Sequence, residues 1–252
     1  GLEGVLYERR EDLFGIVNGI DDEEWNPATD RWIAANFSAD DLRGKSACRR
    51  DLLAEFGLPP DEVPVVGLIG RLTAQKGFDL LEQIGEWLAG QPLRIVILGA
   101  GERRYEEAME ALGRKYPDRI AIRVAYDNAL AHKIEAGADM YLMPSRYEPC
   151  GLNQIYSLRY GTVPVARETG GLADTVADAD AHFATGTGFT FRRYDAEDLK
   201  EAIGRALAAW ADRPRWEALV RRGMARDFSW EASAREYVVL YHKALRKRGR
   251  QG

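Results

Sequence analysis

Two cysteines, Cys48 and Cys150, and three histidines are all that 252 residues carry of the side chains that most often hold soft metals. Two thiols allow at most one disulfide and suit a reducing cytosol. The histidines are scattered, so no structural metal is expected. No apolar run approaches the ~18 residues of a spanning helix, which argues against a membrane partner. The first residues, Gly1-Leu2-Glu3-Gly4, lack the charged-then-apolar order of a secretory signal. They also lack an initiating Met, so the chain reads as part of a longer protein. Repeats and low-complexity stretches are missing. The net charge is −5 with no basic stripe, which argues against nucleic acid. The basic tail from Lys243 to Arg248 reads as a solvated helix end.

What is present is an alternation of strands and helices. Residues 1–60 read as a lead-in, with a short strand over 15–21, an irregular loop at Trp25-Asn26-Pro27 and a helix over 45–56. Residues 61–227 carry five apolar strand candidates, at 65–70, 93–99, 120–124, 139–143 and 162–166, and a short sixth at 188–191. Helices are expected between them and over 199–210 and 216–224. Residues 228–252 hold a last long helix, over 230–245. This order predicts an α/β fold, a parallel sheet with helices on both faces. Ligands of such sheets sit at the carboxyl ends of the strands, so the loops there are where chemistry is sought.

The most informative loop is Pro144-Ser145-Arg146-Tyr147-Glu148-Pro149-Cys150-Gly151, which joins the fourth strand to a helix beginning near Leu152. Backbone N–H groups at such a helix start favour a phosphate or a developing negative charge. A lone carboxylate there, Glu148, suits the hydroxyls of a polyol, and a sugar phosphate meets both demands. An exposed Glu in a Pro-Gly loop fits the same local pattern. The loop after the first strand carries Arg71 and Lys76, cations that would neutralise a leaving diphosphate. Gly99-Ala100-Gly101-Glu102-Arg103-Arg104 imitates a dinucleotide fingerprint without its third glycine, which argues against a nicotinamide cofactor.

The remaining loops are open to two readings. Tyr126 is either a nucleobase platform or a core residue, and His132 reads as a satisfied helix histidine rather than a catalyst. Glu168-Thr169-Gly170-Gly171 offers glycines for close backbone approach to a ligand. Cys150, beside a helix start, leaves a reactive thiol as a second reading. Asp178-Ala179-Asp180 reads as a solvated loop rather than a divalent-ion site.

Four runs appear in order: Arg71-Leu72-Thr73-Ala74-Gln75-Lys76-Gly77, Tyr126-Asp127-Asn128-Ala129-Leu130-Ala131-His132, Pro144 to Leu152, and Thr169-Gly170-Gly171-Leu172. With Asn18-Gly19-Ile20-Asp21, Trp25-Asn26-Pro27 and Asp227-Phe228-Ser229-Trp230, they resemble the carboxyl-terminal half of a bacterial glycogen synthase or plant starch synthase. The resemblance covers nearly the whole chain. It implies one of the two Rossmann-like domains of a GT-B glycosyltransferase, which moves glucose from ADP-glucose to the non-reducing end of an α-1,4-glucan. Transfer would proceed with retention and without metal or other cofactor.

By that resemblance Arg71 and Lys76 hold the diphosphate, Glu148 binds glucose hydroxyls, and Tyr126 lies by the adenosine. The backbone of Cys150, Gly151, Leu152 and Asn153 meets sugar and phosphate, and Thr169 and Gly170 complete the ADP-glucose site. Relatives with a second Glu eight positions after the first have Tyr156 in its place here, as synthases of this family do. Asn153 stands where Thr is usual.

The Lys-x-Gly-Gly-Leu segment that opens these synthases does not occur, so the expected partner of this piece is the amino-terminal domain of the same enzyme. Alone, the piece is expected to be nearly inactive, with Tyr237, Val238, Leu240 and Tyr241 of its last helix uncovered. A bacterial cytoplasm, or a plastid for a plant-type parent, would house it. Two other functions compete: a non-catalytic nucleotide-sugar or glucan-binding module, and a GT-B transferase that uses UDP-glucose or builds sucrose or another glycan.

Overall fold

A computed structural model describes residues 1–182 and 184–249. Six strands form one wholly parallel sheet: β1 (Val65–Ile69), β2 (Arg94–Leu98), β3 (Ile120–Arg123), β4 (Met140–Met143), β5 (Val163–Arg167) and β6 (Phe189–Phe191). The fold class expected from the sequence is the one observed. Residues of β1, β2 and β4 are buried almost throughout, because helices cover both faces of a parallel sheet.

Ten helices are described: α1 (Glu3–Glu8), α2 (Arg43–Glu55), α3 (Phe78–Ala89), α4 (Arg103–Lys115), α5 (Asn128–Gly137), α6 (Asn153–Arg159), α7 (Gly171–Thr175), α8 (Ala196–Ala211), α9 (Arg213–Met224) and α10 (Trp230–Gly249). Asp127 caps α5 by accepting from the Leu130 N–H at 2.9 Å, and Asp195 caps α8 in the same way. On α3, Phe78, Leu81, Ile84 and Leu88 are buried, as their helical spacing predicts.

The strand order is β3-β2-β1-β4-β5-β6. Chain direction across the sheet reverses between β1 and β4, and the loops after these two strands flank the resulting crevice. Those loops, 70–77 and 144–152, are the ones that carry Arg71, Lys76 and Glu148.

Residues 21–226 form one compact unit, and residues 1–20 with the segment from Asp227 onward form another. The strand expected over 15–21 is not formed. Within the second unit Ile20 makes a single parallel bridge to Ser229, its N–H reaching the Phe228 carbonyl at 2.9 Å, and the preceding residues join no ladder. A strand needs a neighbour along its length, and here the segment meets the turn before α10 and the first turn of that helix, whose Ser233 Oγ donates to the Val17 carbonyl at 2.8 Å. Gly19 permits that approach, since a Cβ would overlap the Trp230 backbone. On α10, Tyr237, Val238 and Tyr241 are exposed and Leu240 is half-buried.

Candidate donor site

The two loops at the crevice are stitched together by backbone. Arg146 donates its N–H to the Gln75 carbonyl at 2.8 Å. Gly77, with φ +84°, lies so close to Pro144 that a Cβ would overlap the Pro144 carbonyl. This docking brings Lys76 Nζ to 2.5 Å from Glu148 Oε2. Glu148 is 8% exposed, which removes the reading of it as a loose surface carboxylate. Ser145 Oγ adds a longer contact to the same oxygen, at 3.4 Å.

Thr169 is half-buried, and the two glycines after it serve protein packing. The Gly171 N–H donates to the Glu148 carbonyl at 3.1 Å, and a Cβ at Gly170 or Gly171 would overlap the carbonyl of Glu148 or Cys150. Both glycines thus lie close against the Glu148–Cys150 backbone. The glycines at 99 and 101 act likewise, lying against the carbonyl of Gly70 and the backbone of Leu72. That packing accounts for a glycine pattern which resembles a dinucleotide fingerprint but lacks its third member.

Arg71 is exposed and touches Gln75 Oε1 at 3.5 Å. It lines a cavity of about 480 Å³ with Tyr126, Asn153, Tyr156, Trp25 and Glu135. That is a size typical of small-molecule pockets. Tyr126 is 97% exposed at this cavity, so it is no core residue. Lys76, Glu148, Cys150, Gly151, Leu152, Thr169 and Gly170 lie outside the cavity lining, along the adjoining loops. The structure therefore gathers the expected residues into two neighbouring groups, one around Arg71, Tyr126 and Asn153 and one around Lys76 and Glu148.

Asn153, the first residue of α6, turns its side chain inward. Its amide donates to the Ile69 carbonyl at 2.8 Å and to Tyr141 Oη at 2.6 Å, so a ligand would meet its backbone instead. Leu152 precedes α6 without a side-chain cap, and Cys150 and Gly151 are half-buried beside it. Gly151 has φ +72°.

Trp25 and Glu135 line the cavity in addition to the residues expected from the sequence. Trp25 is sandwiched between His132 and Tyr156, with ring centroids 3.9 and 3.8 Å away and interplanar angles of 11°. His132 Nδ1 meets Asp30 Oδ2 at 2.7 Å, and Tyr160 Oη donates to the same oxygen at 2.6 Å. Burial works to raise the Asp30 pKa, but these hydrogen bonds outweigh it and hold the group below its ordinary value. His132 is fully buried in α5 with Nδ1 on Asp30, while its Nε2 has no hydrogen-bond partner, so the satisfied histidine expected from the sequence is satisfied at one ring nitrogen only.

Glu135 is fully buried. Its Oε2 accepts from Ser157 Oγ at 2.7 Å, and burial pushes its pKa up to about 8. Burial likewise raises Tyr156 to about 12. The Trp25-Asn26-Pro27 run and the α5 sequence around Glu135 do not by themselves place either side chain at the cavity, because that depends on contacts far along the chain.

Asp178 and Asp180 are not a bare acidic pair. Arg205 reaches both, at 3.0 Å each, Arg215 contacts Asp180 at 2.6 Å, and Asp178 accepts the Thr190 N–H at 2.8 Å. Among the described residues no three His, Cys, Asp or Glu side chains are grouped as metal ligands. No described helix is long and apolar enough to cross a membrane.

Comparison with known proteins adds an independent line. The family model described as "Glycosyl transferases group 1" matches residues 50–222, well over half the chain. A glycogen synthase of Koribacter versatilis is 57% identical over 98% of this chain and 51% of its own length. One from Thermotoga petrophila is 49% identical over 99% of this chain and 52% of its own. Among solved structures, the catalytic domain of starch synthase IV from Arabidopsis thaliana, bound to ADP and acarbose, superposes with a TM-score of 0.89 at 36% identity. That match covers 96% of this chain and 51% of the plant protein's chain. The chain thus spans about half the length of the curated relatives it matches. The fold is that of a Rossmann-like domain of a GT-B glycosyltransferase.

Proposed function

This chain belongs to the glycosyl transferases of group 1, and on that premise we propose that it is the donor-binding half of a glucosyltransferase of the glycogen/starch synthase type. The donor is ADP-glucose and the acceptor is the non-reducing end of an α-1,4-glucan. The observation that carries this reading is the Lys76–Glu148 pair at the switch point of the sheet, beside a cavity that Arg71 lines and that is large enough for a nucleoside. The glycogen synthase names of the bacterial relatives and the ADP-bound starch synthase support the choice of donor.

Arg71 and Lys76 neutralise the diphosphate as its charge grows on departure. Glu148 accepts hydrogen bonds from glucose hydroxyls, while the backbone of Cys150, Gly151, Leu152 and Asn153 faces sugar and phosphate. Tyr126 covers the adenosine, and Thr169 and Gly170 support the sugar end. The reaction uses no metal or organic cofactor. In a protein of the relatives' full length, the remaining half supplies the second wall of the cleft and the acceptor side. This chain alone is then expected to bind donor and turn over little. The bacterial relatives support a bacterial cytoplasm as its setting.

Calorimetric titration with ADP, ADP-glucose and UDP-glucose tests the reading. Binding of both adenine ligands in preference to UDP-glucose is the expected result. Preference for UDP-glucose would replace the donor. Binding of glucan without any nucleotide would favour the glucan-binding module instead.

A further inference from the structure

We infer that the Lys76–Glu148 pair makes this site discriminate against a bare nucleoside diphosphate and in favour of a sugar nucleotide. The inference rests on the donor-site reading above. With Lys76 Nζ 2.5 Å from Glu148 Oε2 and Ser145 Oγ at 3.4 Å, the ammonium is the main partner of a carboxylate that is 8% exposed. The loops that carry the pair are joined by the Arg146–Gln75 backbone bond and by the contact of Gly77 with Pro144. Any change of partner therefore happens between side chains on fixed backbones.

A diphosphate that takes Lys76 as its counterion draws the ammonium away from Glu148. A buried carboxylate left without its partner costs more than the pair contributed when intact. A ligand that ends at the diphosphate leaves Glu148 in that state. A ligand that continues into a sugar brings hydroxyl donors to the place the ammonium vacated, and charge-assisted hydrogen bonds replace the lost pair. One carboxylate thus opposes the binding of the product-like diphosphate and favours the substrate-like donor. Selectivity of this kind also speeds release of the nucleotide once the sugar has left.

The test is calorimetric titration of ADP and ADP-glucose into the whole chain as wild type, Glu148→Gln, Lys76→Ala and the double variant. Glu148→Gln is expected to bind ADP roughly threefold to tenfold more tightly than wild type and to lose the preference for ADP-glucose over ADP. In the Lys76→Ala background the same change should leave ADP affinity unaltered, because the exchanged partner is already gone. A gain that persists undiminished in that background would reveal simple relief of charge repulsion and would overturn the exchange. Unchanged or weaker ADP binding by a folded Glu148→Gln chain would also overturn it, while Lys76-dependent ADP binding would leave the donor-site reading standing. Should the Gln variant misfold, Glu148→Ala carries the same expectation. Failure of wild type to bind either ligand removes both readings.

Discussion

Asn153 and Tyr141 share the Ile69 carbonyl. The Asn153 amide reaches it at 2.8 Å, the Tyr141 hydroxyl donates to it at 2.9 Å, and the two side chains meet at 2.6 Å. Ile69 ends β1, Tyr141 lies on β4 and Asn153 begins α6, so the clasp ties the start of α6 to the switch point. Tyr141 Oη also accepts the Ile69 N–H at 2.9 Å. Tyr141→Phe removes that acceptor from a fully buried place and is expected to destabilise the chain by about 1–3 kcal/mol, read as a lower urea midpoint. It should also weaken ADP binding, as the start of α6 loses its anchor.

Arg71→Ala is expected to separate binding from stability. Arg71 is exposed and its contact with Gln75 is 3.5 Å long, so the folded state should change by less than ~0.5 kcal/mol. Loss of a forked cation at a diphosphate should lower ADP affinity about tenfold or more and reduce its dependence on salt. Equal ADP affinity in calorimetry at low and high salt would remove Arg71 from the site.

Gly77→Ala tests the docking of the two loops. The residue sits at φ +84° against the Pro144 carbonyl, so a methyl group meets both backbone strain and overlap. A loss of more than ~1 kcal/mol in chemical denaturation is expected. ADP binding should also fall, because Lys76 is the adjacent residue. A variant as stable as wild type would mean that the loops adjust more freely than their contacts imply.

Glu135, fully buried, and Lys45, half-buried by exposure with its ammonium turned inward, set opposite pH slopes. Burial raises Glu135 from 4.5 to about 8, so between these values the folded chain keeps a proton that the unfolded chain has released. Stability therefore falls as pH rises through that window and is level above it. Burial lowers Lys45 from 10.5 to about 8, although its ammonium is held by Thr162 Oγ1 at 2.9 Å and by the carbonyls of Ala136 and Tyr160 at 3.0 Å. Between 8 and 10.5 the unfolded chain binds more protons, and stability rises. Glu135→Gln should flatten the decline between pH 5 and 8 and leave the alkaline rise, whereas Lys45→Met should flatten the rise. Urea midpoints measured across pH 5–10 report both slopes, and identical slopes in Glu135→Gln and wild type would contradict the shift assigned to Glu135.

The inner strands were legible because a strand buried on both faces is a short, nearly continuous apolar run. The apolar spacing on α3 marked a helix for the same local reason. Segment 15–21 has a strand-like composition, yet pairing requires a partner along its length, and composition does not report a partner. The sequence left Tyr126 open between core and rim, and burial in the folded chain, not its local pattern, resolved the choice.

Chain order and local chemistry thus set the alternation of elements, the loops at the carboxyl ends of the strands, and the residue types those loops present. The meeting of Lys76 with Glu148, 72 positions apart, arises only when β1 and β4 lie side by side. The stacking of Trp25 between His132 and Tyr156, and the burial that keeps Glu135 protonated, arise in the same way. Local periodicity reports what a residue's neighbours in sequence require. Distance, desolvation and ion pairing depend on neighbours in space, which come together only when the whole chain has packed.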